Sequence, residues 1–324
     1  VNCDRQLQQK KMQLWEIKSI FHKELDDIYP KEEVDSFFYM LIEHYLGLER
    51  FVLAMQPNLV ISKEEEQPLF EALAELRLER PVQYIIGKAH FMGMDFKVNE
   101  NVLIPRQETE ELVRWVLADV QAGQDEVRPS DAGPTDLSEQ GNTQKVSSRQ
   151  ELHNSKFVIL DIGTGSGCIA VSLAKNLPAI KVHALDVSVE ALAVARENGR
   201  LHHVDVPFLE VDILDVKYST VKYDVIVTNP PYVREREKKD MRKNVTNHEP
   251  GRALFVSDGN PLKYYDAIAR FAQRSLKENG KLYLEINQYL ALEIQQLLKN
   301  HNFSEIELRK DMFGNDRMMK GKFV

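Results

Sequence analysis

Apolar positions recur at three- and four-residue intervals over the first quarter of the chain. Leu14, Ile17, Phe21, Leu25 and Ile28 form one stripe, and Val34, Phe37, Leu41, Tyr45 and Leu48 form a second. That spacing places each set on one helix face turned toward a core. In Ser62-Lys63-Glu64-Glu65 a hydroxyl precedes a carboxylate by three positions, which marks a helix start, and Leu69, Leu73 and Leu76 continue the apolar face from it. Residues 1–80 are therefore expected to form a helical bundle, used either to dock a macromolecular substrate or simply as support. The pattern changes over residues 81–107. Gly87, Gly93 and Pro105 punctuate short alternating segments, Phe96-Lys97-Val98 and Val102-Leu103-Ile104, and predict a β-hairpin linking two domains. A helix is expected from Glu108 to about Ala118. Residues 119–155 are rich in Gln, Ser, Asp, Gly and Pro, and predict a flexible insertion without a core of its own.

From Lys156 onward strand and helix patterns alternate, so residues 108–324 are expected to form a second domain. Phe157–Leu160, Val182–Leu185, Pro207–Val211, Tyr223–Val227 and Lys281–Ile286 read as strands, with Ser188–Arg200 and Pro261–Glu278 as helices between them. Near-continuous apolar strands separated by helices predict an α/β fold with a doubly wound, mostly parallel sheet. Phe303–Arg309 and Arg317–Phe323 complete it as a terminal strand pair.

Composition narrows the function classes. The chain has 324 residues, 43% hydrophobic and 28% charged, which suits two ordinary globular domains. No apolar run approaches the ~18 residues of a membrane span. The opening Val1-Asn2-Cys3-Asp4-Arg5 has no apolar signal core, so a cytoplasmic protein with no membrane partner is expected. Two cysteines, Cys3 and Cys168, suffice for neither a disulfide framework nor a zinc site, and no metal site is expected. Cys168 is expected to pack as a small apolar residue. The net charge of −8 opposes stable binding of bulk nucleic acid. A monomer is expected.

Two loops carry the candidate chemistry. Leu160-Asp161-Ile162-Gly163-Thr164-Gly165-Ser166-Gly167 ends the first strand and opens a helix. Its glycines permit a tight turn and the close approach of a ligand to the backbone. The run is G-x-G-x-G, one step shorter than the dinucleotide fingerprint, and Cys168-Ile169 stands where a P-loop needs lysine and a hydroxyl. An acid ahead of the glycines favours S-adenosylmethionine over those rivals and over a plain strand-to-helix turn. Asp161 is either part of the binding loop or a structural acid that fixes it. The second strand ends at Asp186, whose carboxylate can accept both ribose hydroxyls of an adenosine. The third ends at Asp212-Ile213, where an acid can meet the adenine amino group.

The strand Asp224–Thr228 ends in Asn229-Pro230-Pro231-Tyr232. This would be the fourth strand, lying beside the first at the point where strand order reverses, and ligands bind in that crevice. An amide nitrogen is a poor nucleophile because its lone pair is delocalised. The Asn229 side-chain oxygen and the Pro230 carbonyl can each accept one N–H, orienting the nitrogen and stabilising the positive charge it gains during attack. Proline holds its predecessor extended, and Tyr232 can pack flat against a planar group. A proline-stiffened loop without function is the competing reading, and an exocyclic adenine amine would suit the same motif.

These residues together resemble the HemK/PrmC family, the protein-(glutamine-N5) methyltransferases that modify peptide chain release factors. Arg80–Gly87 with Phe91-Met92-Gly93 looks like the family's interdomain hairpin, and Leu103–Glu110 looks like its P-R-x-E-T-E segment. Glu249-Pro250, Ala253-Leu254 and Asp311–Arg317 match further stretches. The resemblance spans most of residues 5–323 except 119–155. It implies a class I methyltransferase domain preceded by a helical domain and a hairpin, with S-adenosylmethionine as cofactor. It implies as substrate the glutamine of the Gly-Gly-Gln loop of class I release factors, in support of translation termination. By motif, Gly163, Thr164, Gly165, Ser166, Gly167, Asp186 and Asn229 would contact the cofactor, and Asn229, Pro230, Pro231 and Tyr232 would hold the glutamine. The alternative is an N6-adenine nucleic-acid methyltransferase, which must extrude its base and hold a charged backbone.

This chain departs from the family pattern in three places. Ile213 stands where an aromatic residue is frequent, Asn287 where a glycine often follows the Glu-Ile pair, and Gln107 where proline is frequent. Arg106, Glu108 and Glu110 either line the site or, the favoured reading, brace the hairpin. The basic run Arg234, Arg236, Lys238, Lys239, Arg242 and Lys243 reads as a solvated charged loop, with a partner-facing patch as the alternative.

Overall fold

The computed structural model describes residues 11–126 and 157–324, which fall into two compact units. The first contains the described residues up to Lys88 together with Arg242–His248; the second contains the rest, from Ala89. Most of the expected insertion lies outside the described residues.

In the first unit the two apolar stripes become α1 (Leu14–Leu25) and α2 (Lys31–Leu46). The first stripe stops short of Ile28, which is exposed past the end of α1. Gly47, at φ +65°, ends α2 in the left-handed conformation that suits glycine. The Ser62 hydroxyl accepts the Glu65 N–H while the Glu65 carboxylate accepts the Ser62 N–H, and this reciprocal cap opens α3 (Lys63–Arg77). Leu69, Leu73 and Leu76 of α3 meet Phe21, Phe38 and Leu41 in one buried cluster. A short helix, α4 (Val82–Ile86), follows where the sequence suggested only hairpin.

The hairpin itself is shorter than expected: β1 (Lys88–Phe91) and β2 (Met94–Lys97), turning at Met92-Gly93. Val102-Leu103-Ile104 is not a strand. Val102 and Ile104 are buried in irregular chain, and the Ile104 N–H is satisfied by Glu249 Oε2 at 3.1 Å instead of by a ladder. Phe91 and Phe96 of the hairpin are buried in the core of the second unit.

The helix expected to stop near Ala118 runs on as α5 (Gln107–Glu126). Val120 is buried in the core, and the Asp119 carboxylate accepts from Tyr283 Oη at 2.6 Å and Lys320 Nζ at 3.0 Å, so packing overrides the polar composition that suggested an end. After it come β3 (Val158–Ile162), α6 (Cys168–Asn176), β4 (Lys181–Asp186), α7 (Val189–Leu201), β5 (Phe208–Glu210) and β6 (Tyr223–Thr228). Then follow α8 (Lys263–Ser275), β7 (Leu276–Glu285), α9 (Ala291–Asn300), β8 (Phe303–Lys310) and β9 (Asp316–Phe323). The helix expected to reach Glu278 ends at Ser275, because Leu276 is already extended and paired with Tyr223.

The seven strands lie in the order β8-β9-β7-β6-β3-β4-β5. Six run in one direction, and β9 is antiparallel to both its neighbours. This is the expected α/β architecture with a mostly parallel sheet and the fourth strand beside the first. Successive residues on a strand face opposite ways. Ile159 therefore joins α5 and α6 in one core, while Leu160 joins α8 and α9 in the other. No helix among the described residues is long and apolar enough to cross a membrane.

Phe38 of α2 is fully buried and meets the Phe21 ring edge-on at 5.5 Å. Phe38→Ala should cost about 3–5 kcal/mol of first-unit stability. Urea unfolding followed by far-ultraviolet circular dichroism checks it, and an unchanged midpoint would contradict this packing.

Candidate active site

The reversal of strand order leaves a crevice beyond the carboxyl ends of β3, β4 and β6. A cavity of about 530 Å3 lies there, lined by Gly163, Gly165, Asp186, Asp212, Ile213, Asn229, Pro230 and Pro231, among others. It thus brings together eight of the sequence-predicted residues from separate loops. Further wall comes from Glu100–Leu103, which precede α5, and from Pro250, Arg252, Ala253, Tyr264 and Ile268.

The glycine loop is stitched to the next strand. Gly163 and Thr164 both donate their N–H to the Leu185 carbonyl, at 2.9 and 3.0 Å. Asp186 then holds the loop and the following turn together: Oδ2 accepts from the Gly165 N–H and Oδ1 from the Ser188 N–H, each at 2.9 Å. A carboxylate oxygen has capacity for a further donor, so both can also meet hydroxyls presented from the cavity. Gly163 and Gly165 have φ +71° and +54°, and a Cβ on either would project into open space. Gly167 differs. Its φ is +82° and a Cβ would lie 3.1 Å from that of Ala195, so there glycine serves the approach of two helices.

The two acids of this region sit in opposite surroundings. Asp161 is fully buried and does not line the cavity; its Oδ2 accepts from the Thr164 hydroxyl at 2.6 Å. Oδ1 has no full hydrogen bond among the described residues, and the nearby Ala170 N–H offsets only part of the burial. Burial pushes this carboxyl up to about 7. Ser166 and Thr164 are buried away from the cavity, and so is Cys168, whose thiol burial pushes up to about 12. A thiol held that high stays protonated and unreactive at neutral pH.

Asp212 holds its own turn, accepting the Leu214 N–H at 2.8 Å through Oδ1, and Ile213 beside it packs partly against the core of α8 and α9. Asn229 is half-buried at the end of β6. Its Nδ2 donates to Thr109 Oγ1 at 3.1 Å, and Thr109 Oγ1 donates to Glu285 Oε2 at 2.6 Å. Tyr232 does not line the cavity; its hydroxyl donates to Glu285 Oε1 at 2.8 Å. Glu285 is buried, and that burial raises its pKa against the two hydroxyl donors and Arg317, which lower it. Arg317 reaches Tyr232 Oη at 3.3 Å and is held by Asp311 at 3.1 Å. Asn287 donates to the Tyr232 carbonyl at 3.0 Å and to Glu237 Oε2 at 2.9 Å. The asparagine that replaces the family's frequent glycine thus ties down the motif's last residue.

Sequence reasoning singled out neither Thr109 nor Glu285. Thr109 lies inside the Leu103–Glu110 segment, where its charged neighbours carry the stronger sequence signal. Of the charged residues in that segment, Glu110 braces the hairpin, its Oε1 accepting the Met92 N–H at the turn, 2.9 Å away, while Arg106 pairs with Glu249 at 2.5 Å. Asn198 of α7 was also missed. Its buried amide bonds the backbone of Lys97 on both sides, at 2.8 and 3.0 Å, and the Ser166 carbonyl at 2.8 Å, joining hairpin to glycine loop. No cluster of His, Cys, Asp or Glu among the described residues could hold a metal ion.

Residues 21–87 match the PrmC N-terminal domain model and residues 148–253 the Methyltransferase small domain model. A release factor glutamine methyltransferase of Flavobacterium psychrophilum is 44% identical over 303 residues, covering 94% of this chain and 96% of the relative. Enzymes of the same description from Bacteroides thetaiotaomicron and Streptococcus pneumoniae are each 37% identical, covering 94% and 95% of this chain and 98% of each relative.

The raised Asp161 carboxyl has a consequence for stability. Between its unfolded value near 4 and its folded value of about 7, the native state holds more protons than the unfolded chain. The stabilisation from that proton is complete at lower pH and is lost as pH rises through about 7. At ~1.4 kcal/mol per unit, Asp161→Asn should gain about 1–3 kcal/mol relative to wild type between pH 5 and pH 7.5. Urea titrations at both pH values measure this, and parallel pH profiles for the two proteins would rule it out.

Proposed function

This chain belongs to the release factor glutamine methyltransferase family and is an S-adenosylmethionine-dependent methyltransferase, and we propose that its acceptor is the side-chain amide nitrogen (N5) of the glutamine in the Gly-Gly-Gln loop of a peptide chain release factor. The observation that carries this reading is that Asn229, Pro230 and Pro231 share one cavity with Gly163, Gly165 and Asp186. A methyl donor and a planar nitrogen can therefore meet without either loop moving far.

The residues present fit the cofactor. Open space above Gly163 and Gly165 admits a ligand close to the backbone. Asp186, already aimed by two backbone N–H groups, takes the ribose hydroxyls. Asp212 and Ile213 would border the adenine, with Ile213 offering an apolar edge instead of an aromatic face. Asp161, Thr164, Ser166 and Gly167 act from behind, by shaping the loop. When bound, the cofactor supplies a methyl group on a sulfonium, an electrophile that needs no further activation.

Asn229 Oδ1 and the Pro230 carbonyl accept the two N–H bonds of the glutamine amide. They hold its plane, and they stabilise the charge that grows on nitrogen as the methyl arrives. By fixing the acceptor nitrogen in one orientation toward the cofactor side of the cavity, Asn229 and Pro230 would supply much of the acceleration. Tyr232 contributes as the anchor of this loop. No strong base is required, because the proton becomes acidic once nitrogen is alkylated. A cytoplasmic monomer acting on free release factor completes the proposal.

Methyl transfer from labelled S-adenosylmethionine to purified release factor tests it. Label should appear on the normal factor. It should fall by roughly 100-fold or more with Asn229→Ala, the scale of losing a key transition-state hydrogen bond, and disappear when the Gly-Gly-Gln glutamine is replaced. Label on nucleic acid with none on the factor would overturn the substrate assignment and favour the adenine reading.

A further inference from the structure

An asparagine side chain presents two ends of nearly identical shape and opposite hydrogen-bonding character, so only its bonding network decides which end faces a substrate. At Asn229 that network starts from a carboxylate. Glu285 takes a hydroxyl proton at each oxygen, from Tyr232 at 2.8 Å and from Thr109 at 2.6 Å. A hydroxyl has one proton to give. Once Thr109 has given its own to Glu285, only lone pairs remain toward Asn229, and these accept an N–H from Nδ2 at 3.1 Å. The opposite orientation would set Asn229 Oδ1 against those lone pairs, exchanging a hydrogen bond for a repulsion.

We infer that Glu285, acting through the Thr109 hydroxyl, is a positioning group that dictates the orientation of the Asn229 amide, so that Oδ1 and not Nδ2 is offered to the acceptor nitrogen. This deepens the reading of Asn229 given above and rests on it. Among the described residues no donor is bonded to Asn229 Oδ1, which leaves that oxygen for a substrate N–H. Thr109 sits at the start of α5 and Glu285 at the end of β7, so helix and strand converge on one amide of the β6 loop. Tyr232 on the other carboxylate oxygen belongs to the same loop as Asn229. One buried acid therefore holds both ends of the motif. Burial raises the pKa of Glu285, and Glu108 adds to this; the Thr109 and Tyr232 hydroxyls and Arg317 act the other way, favouring the charged, acceptor-only form.

The test compares Thr109→Val, which keeps shape and removes the hydroxyl, with Thr109→Ser, which restores the hydroxyl. Full-length proteins are assayed for kcat and KM on release factor, and for S-adenosylmethionine Kd by calorimetry. Thr109→Val should lower kcat on the order of 10- to 100-fold, with KM and Kd changed by less than about threefold. Thr109→Ser should stay within about threefold of wild type. Adding Thr109→Val to Asn229→Ala should cause no further loss, since the hydroxyl acts only through that amide. Wild-type kcat in Thr109→Val, or an equal further loss in the Asn229→Ala background, overturns the inference. If Thr109→Val fails to fold, the comparison moves to Glu285→Gln, which replaces one accepting oxygen with a donor and should reduce kcat with the Kd retained; wild-type kcat there overturns it equally. Full activity in Asn229→Ala alone would instead sink the underlying reading of the motif.

Discussion

A carboxylate removed from water must be matched by donors or be heavily penalised, and Glu285 is the place in this molecule where that requirement organises the most chain. Burial of such a group costs several kcal/mol before compensation. Here the compensation comes from Thr109 of α5 and Tyr232 of the loop after β6, with Arg317 of β9 close by. The acid itself ends β7. Four elements distant in sequence thus meet on one side chain, and the loop that carries Asn229 is held from beneath by groups that do not line the cavity. The cavity wall can then present acceptors to a ligand while its own support is already satisfied.

The glycine loop shows the same division between shaping and contacting. Asp161 and Asp186 end adjacent parallel strands, yet one is sealed with a single strong hydrogen bond and the other faces the cavity with two backbone donors. Their electrostatics diverge accordingly, since Asp161 is driven toward its neutral form by burial. A neutral acid under the loop also avoids placing a second full negative charge close to Asp186. The difference lies in position along each strand: Asp161 is followed by Ile162 before the glycine loop and is packed inside, whereas Asp186 is the last residue of β4 and opens onto the crevice.

Much of this was legible in the sequence, and the gaps have physical causes. Helix stripes, the Ser62 cap, the strand succession and both loops announce themselves because each rests on local periodicity or local turn chemistry. The extent of α5 was hidden because the interactions that carry it past Ala118 come from Tyr283 and Lys320, far along the chain. The strand suggested at Val102–Ile104 was misread for a similar reason: alternating burial arose from packing in irregular chain whose N–H is met by Glu249. Asp161 could be read either way from sequence, since an acid before a glycine loop looks the same whether it faces in or out. Thr109 and Glu285 carried no local signal, because a hydroxyl and a carboxylate 176 positions apart become a pair only when helix and strand pack.

The joint made by Asn198 has a different kind of consequence. Its amide bonds only main-chain atoms, those of Lys97 and Ser166. A link that reads backbone is indifferent to the side chains it spans. The hairpin backbone at Lys97 and the glycine loop at Ser166 are therefore held together without recourse to either side chain. A substitution at either position would leave the link intact, whereas one at Asn198 would remove it.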